Sequence, residues 1–362
     1  MSIRKGFVVG VSAVALMLAA CGTEQSEEPA APEATEGAEE TDAPDDAEGE
    51  AGGTVTLVTH DSFYLPDGVL EQFTEESGYD VVLVAPGDAG QLTNQLILTI
   101  DSPLGDAAFG IDNSFASRGV DAGVFEQYVS ADAPAGIDDF GGHLTAIDQG
   151  EVCLNVDLEW FDAEGIAVPE TFEDILEPEY ADLTVVTNPA SSSPGMAFLL
   201  ATVGHFGEDG WLDYWTELQG NGLRVSEGWS DAYYVDFSGS EGDGPRPIVL
   251  SYSSSPAAEL NDDGEPRTAA MDTTCFRQVE YAGVIAGAEN AAGAQALVDF
   301  LLTDAVQSQI AEAMWMYPVD EAYTPEDWAE FAPLSENPVE LDPELISENR
   351  NEWLEEWLEA IG

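Results

Sequence analysis

The sequence predicts an α/β fold. Beyond residue 53, short apolar runs of strand length alternate with segments of helical spacing. That stretch is long enough for two lobes with ordinary cores. It shows neither an internal repeat nor a second membrane segment.

Residues 54–59 form the first expected strand. Residues 68–77 have helical spacing, with Val69, Leu70 and Phe73 on one face. Residues 81–84 are a second strand, residues 91–100 a helix, and residues 107–111 a third strand that ends at Asp112 and Asn113. The middle section supplies strands at 152–156, 183–187 and 247–252 and helices at 196–203 and 211–218. Two helices follow, 291–302 and 304–314, with Thr303 placed to cap the second. The tail, 325–361, carries Trp328, Trp353 and Trp357, and the i,i+4 spacing of the last two reads as a packed face.

The N-terminus reads as an export signal. Arg4 and Lys5 precede an apolar run from Phe7 to Ala20 that is short for a membrane span. Leu18-Ala19-Ala20-Cys21 resembles a bacterial lipobox, which implies cleavage after residue 20 and lipid on the Cys21 thiol. Residues 21–53 are Glu, Ala, Pro, Asp, Gly and Thr with almost no large apolar side chain, the composition of a disordered acidic tether. The expected product is an extracytoplasmic lipoprotein on the outer face of the cell membrane or in the periplasm.

Eight Lys and Arg stand against 72 Asp and Glu, a net charge of −64. Lys5 is the only lysine. Such a chain repels nucleic acid and anionic membranes. We read the charge mainly as a solubility device for a salt-rich setting, where self-repulsion is screened. Cys153 and Cys275 both sit in strand-like runs, and in an oxidising compartment a disulfide is the default. Three histidines and so few thiols leave no metal or cofactor site to expect.

Three aromatics stand in distinctive contexts: Trp229 in Glu-Gly-Trp-Ser, Tyr252 in Leu-Ser-Tyr-Ser and Trp315 in Trp-Met-Tyr-Pro-Val. Electron-rich ring faces in a negative field suit an organic cation. With Thr59-His60-Asp61-Ser62-Phe63, Phe109-Gly110-Ile111-Asp112-Asn113 and the run Asn188 to Gly195, these motifs resemble, in order, the thiamine-binding solute receptors of bacterial ABC importers. The resemblance covers nearly the whole chain after the tether. It implies a two-lobed periplasmic-binding-protein fold of class II, with the ligand cleft between the lobes. Residues 54–146 and 277–318 would form lobe 1, and residues 147–276 and 319–362 lobe 2. The crossover strands near Cys153 and Cys275 would then lie close together.

The resemblance also assigns site residues. Trp229, Tyr252 and Trp315 match positions that supply the aromatic surface for a thiazolium and an aminopyrimidine. Asp88 matches a position that contacts the aminopyrimidine. Asp61 and Asp112 also follow strands, where ligands sit in open α/β sheets. Ser192 and Ser193, at the head of a helix, suit a hydroxyl or phosphate group. His60 stands where relatives often carry tyrosine. Ala257 and Ala258 stand where some relatives place a second tyrosine, so that wall is either missing or supplied by Tyr233 or Tyr234.

The expected partners are thiamine or its phosphate and an ABC permease, with no nucleic acid, membrane contact only through the lipid, and a monomeric receptor. Two other readings stay open. A receptor for a polyamine or ferric iron would use the same fold. A thiamine-processing enzyme would need a cysteine beside a base, and neither Cys153 nor Cys275 has a histidine motif nearby.

Overall fold

A computed structural model describes residues 52–362. The expected export signal, Cys21 and all but the end of the acidic tether lie outside the described residues. Strands β1 (Gly53–Thr59), β2 (Tyr79–Val84) and β3 (Ala107–Asp112) form a parallel set with β1 in the centre. The first is fixed by Val55, Leu57 and Val58, all fully buried. Then come β4 (Thr145–Asp157), β5 (Thr184–Thr187), β6 (Arg224–Ser226), β7 (Ile248–Tyr252), β8 (Thr268–Ala270), β9 (Phe276–Val284) and β10 (Tyr317–Pro318). The sheet order is β2-β1-β3-β9-β4-β7-β5-β6, with β8 and β10 also on β4.

Two long strands join the ends of this sheet. β4 runs antiparallel to β9 from Thr145 to Val152, and to β7 from Val152 to Val156. β9 in turn takes β3 on its other side. Parallel βαβ units thus stand at both ends, and the chain crosses between them along β4 and β9. This is the two-lobed α/β architecture expected from the sequence. The strand expected at 152–156 is the second half of a much longer one; its first half, with Thr145, Asp148 and Glu151, reads too polar to stand out.

Cys153 and Cys275 are bonded to each other where those strands meet, both fully buried. Val152 pairs with Phe276 one residue away, so the bond pins the crossover itself. Closing a loop of 122 residues is worth about 2–5 kcal/mol in chain-entropy terms.

The helix Ser193–Phe206 runs through the largest core cluster, buried from its first turn to Val203. A side chain at Gly195 would meet the Thr187 carbonyl at 2.5 Å, so this position must be glycine for the helix to sit on β5. The helix Trp211–Gly220 packs beside it, where the Trp215 indole donates to Thr202 Oγ1 at 2.9 Å. The last helix, Pro343–Ala360, closes this core: Trp353 and Trp357 are buried, and Trp357 meets Trp215 edge to face at 5.4 Å. Thr303 does stand at the head of the helix Asp304–Met314, but its hydroxyl bonds backwards to the Phe300 carbonyl at 2.7 Å rather than capping forwards.

Candidate ligand cleft

The carboxyl ends of β1, β2 and β7 and the head of the helix Ser193–Phe206 converge on one cleft. It holds about 730 Å³ of space between its walls, the open mouth included. His60, Asp88, Ser193, Trp229, Tyr252 and Trp315 all line it.

One wall is built around Trp229. Its ring lies nearly parallel to Tyr233 at 4.8 Å, edge-on to Tyr234 at 5.3 Å and tilted toward Tyr252 at 6.5 Å. The indole N–H donates to Ser251 Oγ at 2.9 Å, which fixes the ring plane. Tyr252 accepts from Gln278 Nε2 at 3.3 Å, and burial together with Glu280 and Asp88 holds its hydroxyl well above the ordinary phenol range. Tyr233 and Tyr234 both line the cleft beside Ala258, so aromatic surface stands where the sequence left a gap.

The other wall is Trp315 with Met314 and Met316. Trp315 follows the helix Asp304–Met314 in a left-handed conformation, φ 57°, a placement that costs a residue with a side chain roughly 1–2 kcal/mol. Its ring lies parallel to buried Trp328 at 6.2 Å, and Ser254 donates to its carbonyl. Trp328, from the tail, is thus a backing that motif reading did not connect with the site.

Asp88 joins the walls. Its Oδ1 accepts from the Ala89 amide at 2.7 Å and the Ser193 amide at 3.3 Å, and its Oδ2 from the Trp229 amide at 3.0 Å. One carboxylate therefore terminates the helices Ala89–Leu98, Ser193–Phe206 and Trp229–Asp231. Burial raises its pKa, against those three amides and His60. Gln91 N–H to the Ser191 carbonyl (3.2 Å) and the Ser62–Ser230 hydroxyl pair (3.5 Å) run alongside.

Asp61, Asp112 and Ser192 fall elsewhere. Asp61 is exposed and faces a smaller hollow behind Asp88, with Glu227 and Asp231. Asp112 is buried and does not line the cleft; its carboxylate accepts from the Ser114 amide at 2.5 Å and from the Ser114 hydroxyl. Ser192 is fully buried and donates to Thr187 Oγ1 at 3.0 Å. Ser193 lines the cleft, and its Oγ is buried without a hydrogen-bond partner.

Glu280 was not foreseen. It lines the cleft from β9, where Gln278 Nε2 donates to it at 3.1 Å and His60 Nε2 lies 3.6 Å away. The Cδ2 edge of the His60 ring lies against Gly110, where a Cβ would come within 2.0 Å of it; φ +89° there suits glycine as well. The Ser62 amide donates to His60 Nδ1 at 3.2 Å, which leaves the ring hydrogen on Nε2 toward Glu280. Burial pulls His60 down, but Glu280, Asp88 and Asp61 outweigh it and hold the ring above its ordinary value. Among the described residues no group of three or more His, Cys, Asp or Glu is arranged to hold a metal ion.

A two-lobed α/β fold with an aromatic cleft at its crossover defines a solute-binding protein. The chain belongs to the family of bacterial extracellular solute-binding proteins, which matches residues 106–338. It is similar to the thiamine-binding periplasmic protein of Brucella suis, 28% identical over 326 residues that span 86% of this chain and 93% of that one. The thiamine-binding periplasmic protein of Escherichia coli is 27% identical over 320 residues, 85% of this chain and 93% of the other. Among solved structures, a periplasmic thiamin binding protein superposes with a TM-score of 0.75 at 25% identity, over 85% of this chain and 96% of that chain.

Proposed function

We propose that this protein is the extracytoplasmic receptor that binds thiamine and delivers it to an ABC permease. The observation that carries the reading is the cleft itself: Trp229, Tyr252 and Trp315 on its walls, with Asp88 and Glu280 at their base. Thiamine is a permanent cation with two flat rings. Aromatic faces attract both features, and carboxylates at low dielectric add to the attraction. Relatives named for thiamine binding, aligned over most of both chains, point the same way.

In this reading Trp229 and Trp315 flank the rings and Asp88 orients the aminopyrimidine. Ser193 Oγ meets the hydroxyethyl arm or its phosphate. Asp61, Asp112 and Ser192 support the site from behind. Residues 54–146 and 277–318 move as one lobe against 147–276 and 319–362, and the closed form docks on the permease as a monomer. Cys21 carries the lipid, and the acidic tether spaces the receptor from the membrane. The protein performs no chemistry on its ligand.

A ferric receptor would use ionised tyrosines. Tyr233 instead donates to Glu259 at 3.1 Å, and burial and that acid hold its hydroxyl well above the phenol range, which disfavours the iron alternative. Mass analysis of the ligand that copurifies with the protein tests the proposal. Thiamine or its phosphate is expected; a polyamine or iron in its place would overturn it.

A further inference from the structure

Among the buried acids outside the ligand contacts, Asp148 stands out. Asp148, Glu280 and Asp112 stand in a row across three neighbouring strands: Asp148 of β4 pairs with Glu280 of β9, and Glu280 with Asp112 of β3. Like charges directly opposite repel, and burial raises the cost. Asp148 is fully buried and neither of its oxygens has a hydrogen-bond donor. The group it meets is the Glu280 carboxyl, itself an acceptor. Two carboxyls in contact with no donor between them are held by a shared proton.

We propose that this pair is a proton-linked counter-charge: Asp148 carries one proton while no cation is in the cleft, and releases it when an organic cation settles over Glu280. The step breaks the Asp148 O–H bond and passes the proton to solvent, with no change of oxidation state. It leaves two carboxylates where there was one, so the base of the cleft becomes more negative as the cation arrives. The inference rests on the cationic ligand proposed above.

The surroundings favour Asp148 as the proton store. Burial and Glu280 raise its pKa well above the carboxylate range. The other titratable groups that bear on Glu280 are Asp112 of β3, His60 after β1 and Tyr252 of β7; Asp61, and Asp88 at the head of the helix Ala89–Leu98, act in turn on His60. Arg350 of the last helix acts on Asp112. Gln278 donates to Glu280 but carries no proton to give. His60 already accepts the Ser62 amide at Nδ1, so taking up a second proton would break that bond.

Calorimetry of the protein with thiamine, in phosphate and in Tris at one pH, counts the protons exchanged on binding. Wild type is expected to release a substantial fraction of one proton per ligand. D148N should release none and show an affinity independent of pH between about 5 and 8. E280Q should lose the release and bind at least tenfold more weakly, on the order of one full charge contact. H60Q should keep the release. No release by wild type, equal release by D148N, or release lost only in H60Q would each overturn the proposal. An infrared spectrum of the unliganded protein reads the same proton without thiamine. A protonated-carboxyl band is expected in wild type, with one component that D148N removes and D112N keeps; no such band in wild type, or a band that D148N leaves unchanged, overturns the shared proton. Absence of thiamine binding alongside that band would count against the proposed ligand alone.

Discussion

Trp315 shows how much single residues carry here. Its left-handed backbone and the parallel Trp328 ring behind it fix an indole face toward the cleft. Trp315→Ala keeps the backbone cost and loses the face, so thiamine affinity should fall by about 1–3 kcal/mol, read by calorimetry. An unchanged dissociation constant removes Trp315 from the site. Asp112 makes a different prediction. Burial, against the Ser114 bonds, pushes its pKa up to about 7. A folded pKa above the unfolded one gives stability that is present below the ordinary carboxylate value and lost as pH rises through about 7. The isosteric D112N variant has no such loss. Its stability relative to wild type should therefore rise between roughly pH 4 and pH 8, by an amount on the order of a few kcal/mol. Denaturant melts at several pH values measure it, and a constant difference would contradict the assignment.

At the scale of elements, Asp88 ties three helix N-termini through one carboxylate. Those amides come from segments of both proposed lobes, so the proposed closure would run through this carboxylate. D88A leaves the Ser193 and Trp229 amides without this acceptor. It should weaken thiamine binding by about 1–3 kcal/mol and abolish the ligand-induced fall in radius of gyration seen by small-angle scattering. A variant that binds weakly but still contracts fully would confine Asp88 to ligand contact. Much at this scale was legible. The strands near 54, 81 and 107 and the helices near 68, 211 and 304 all fall within a few residues of expectation, because their apolar periods are clean. The length of β4 and the partners of β9 were not, because Thr145, Asp148, Glu151, Gln278 and Glu280 are polar and their burial is decided by strands far away in sequence.

Across the whole molecule, sequence patterns pointed to the aromatic walls and Asp88 but not to Glu280. Trp229, Tyr252 and Trp315 sit in short motifs that can be read locally. Glu280 lies on a strand whose polar alternation looks solvated, and only the pairing of β9 between β3 and β4 brings it under the cleft. Trp328 is equally invisible, since its packing on Trp315 follows from the fold of the tail. The charge of −64 told less about the ligand than its size suggests. Dense surface acids act over only about 3 Å at molar salt, whereas Asp88 and Glu280 are buried in the cleft wall, where screening is weaker. Affinity for the cation should therefore depend far less on salt than the net charge implies.

Titration calorimetry with thiamine, spermidine and ferric citrate tests the central claim most directly. The account predicts a single thiamine site of micromolar or tighter affinity, with no comparable heat from the other two. No thiamine binding at micromolar concentration, or tighter binding of spermidine or iron, would contradict it.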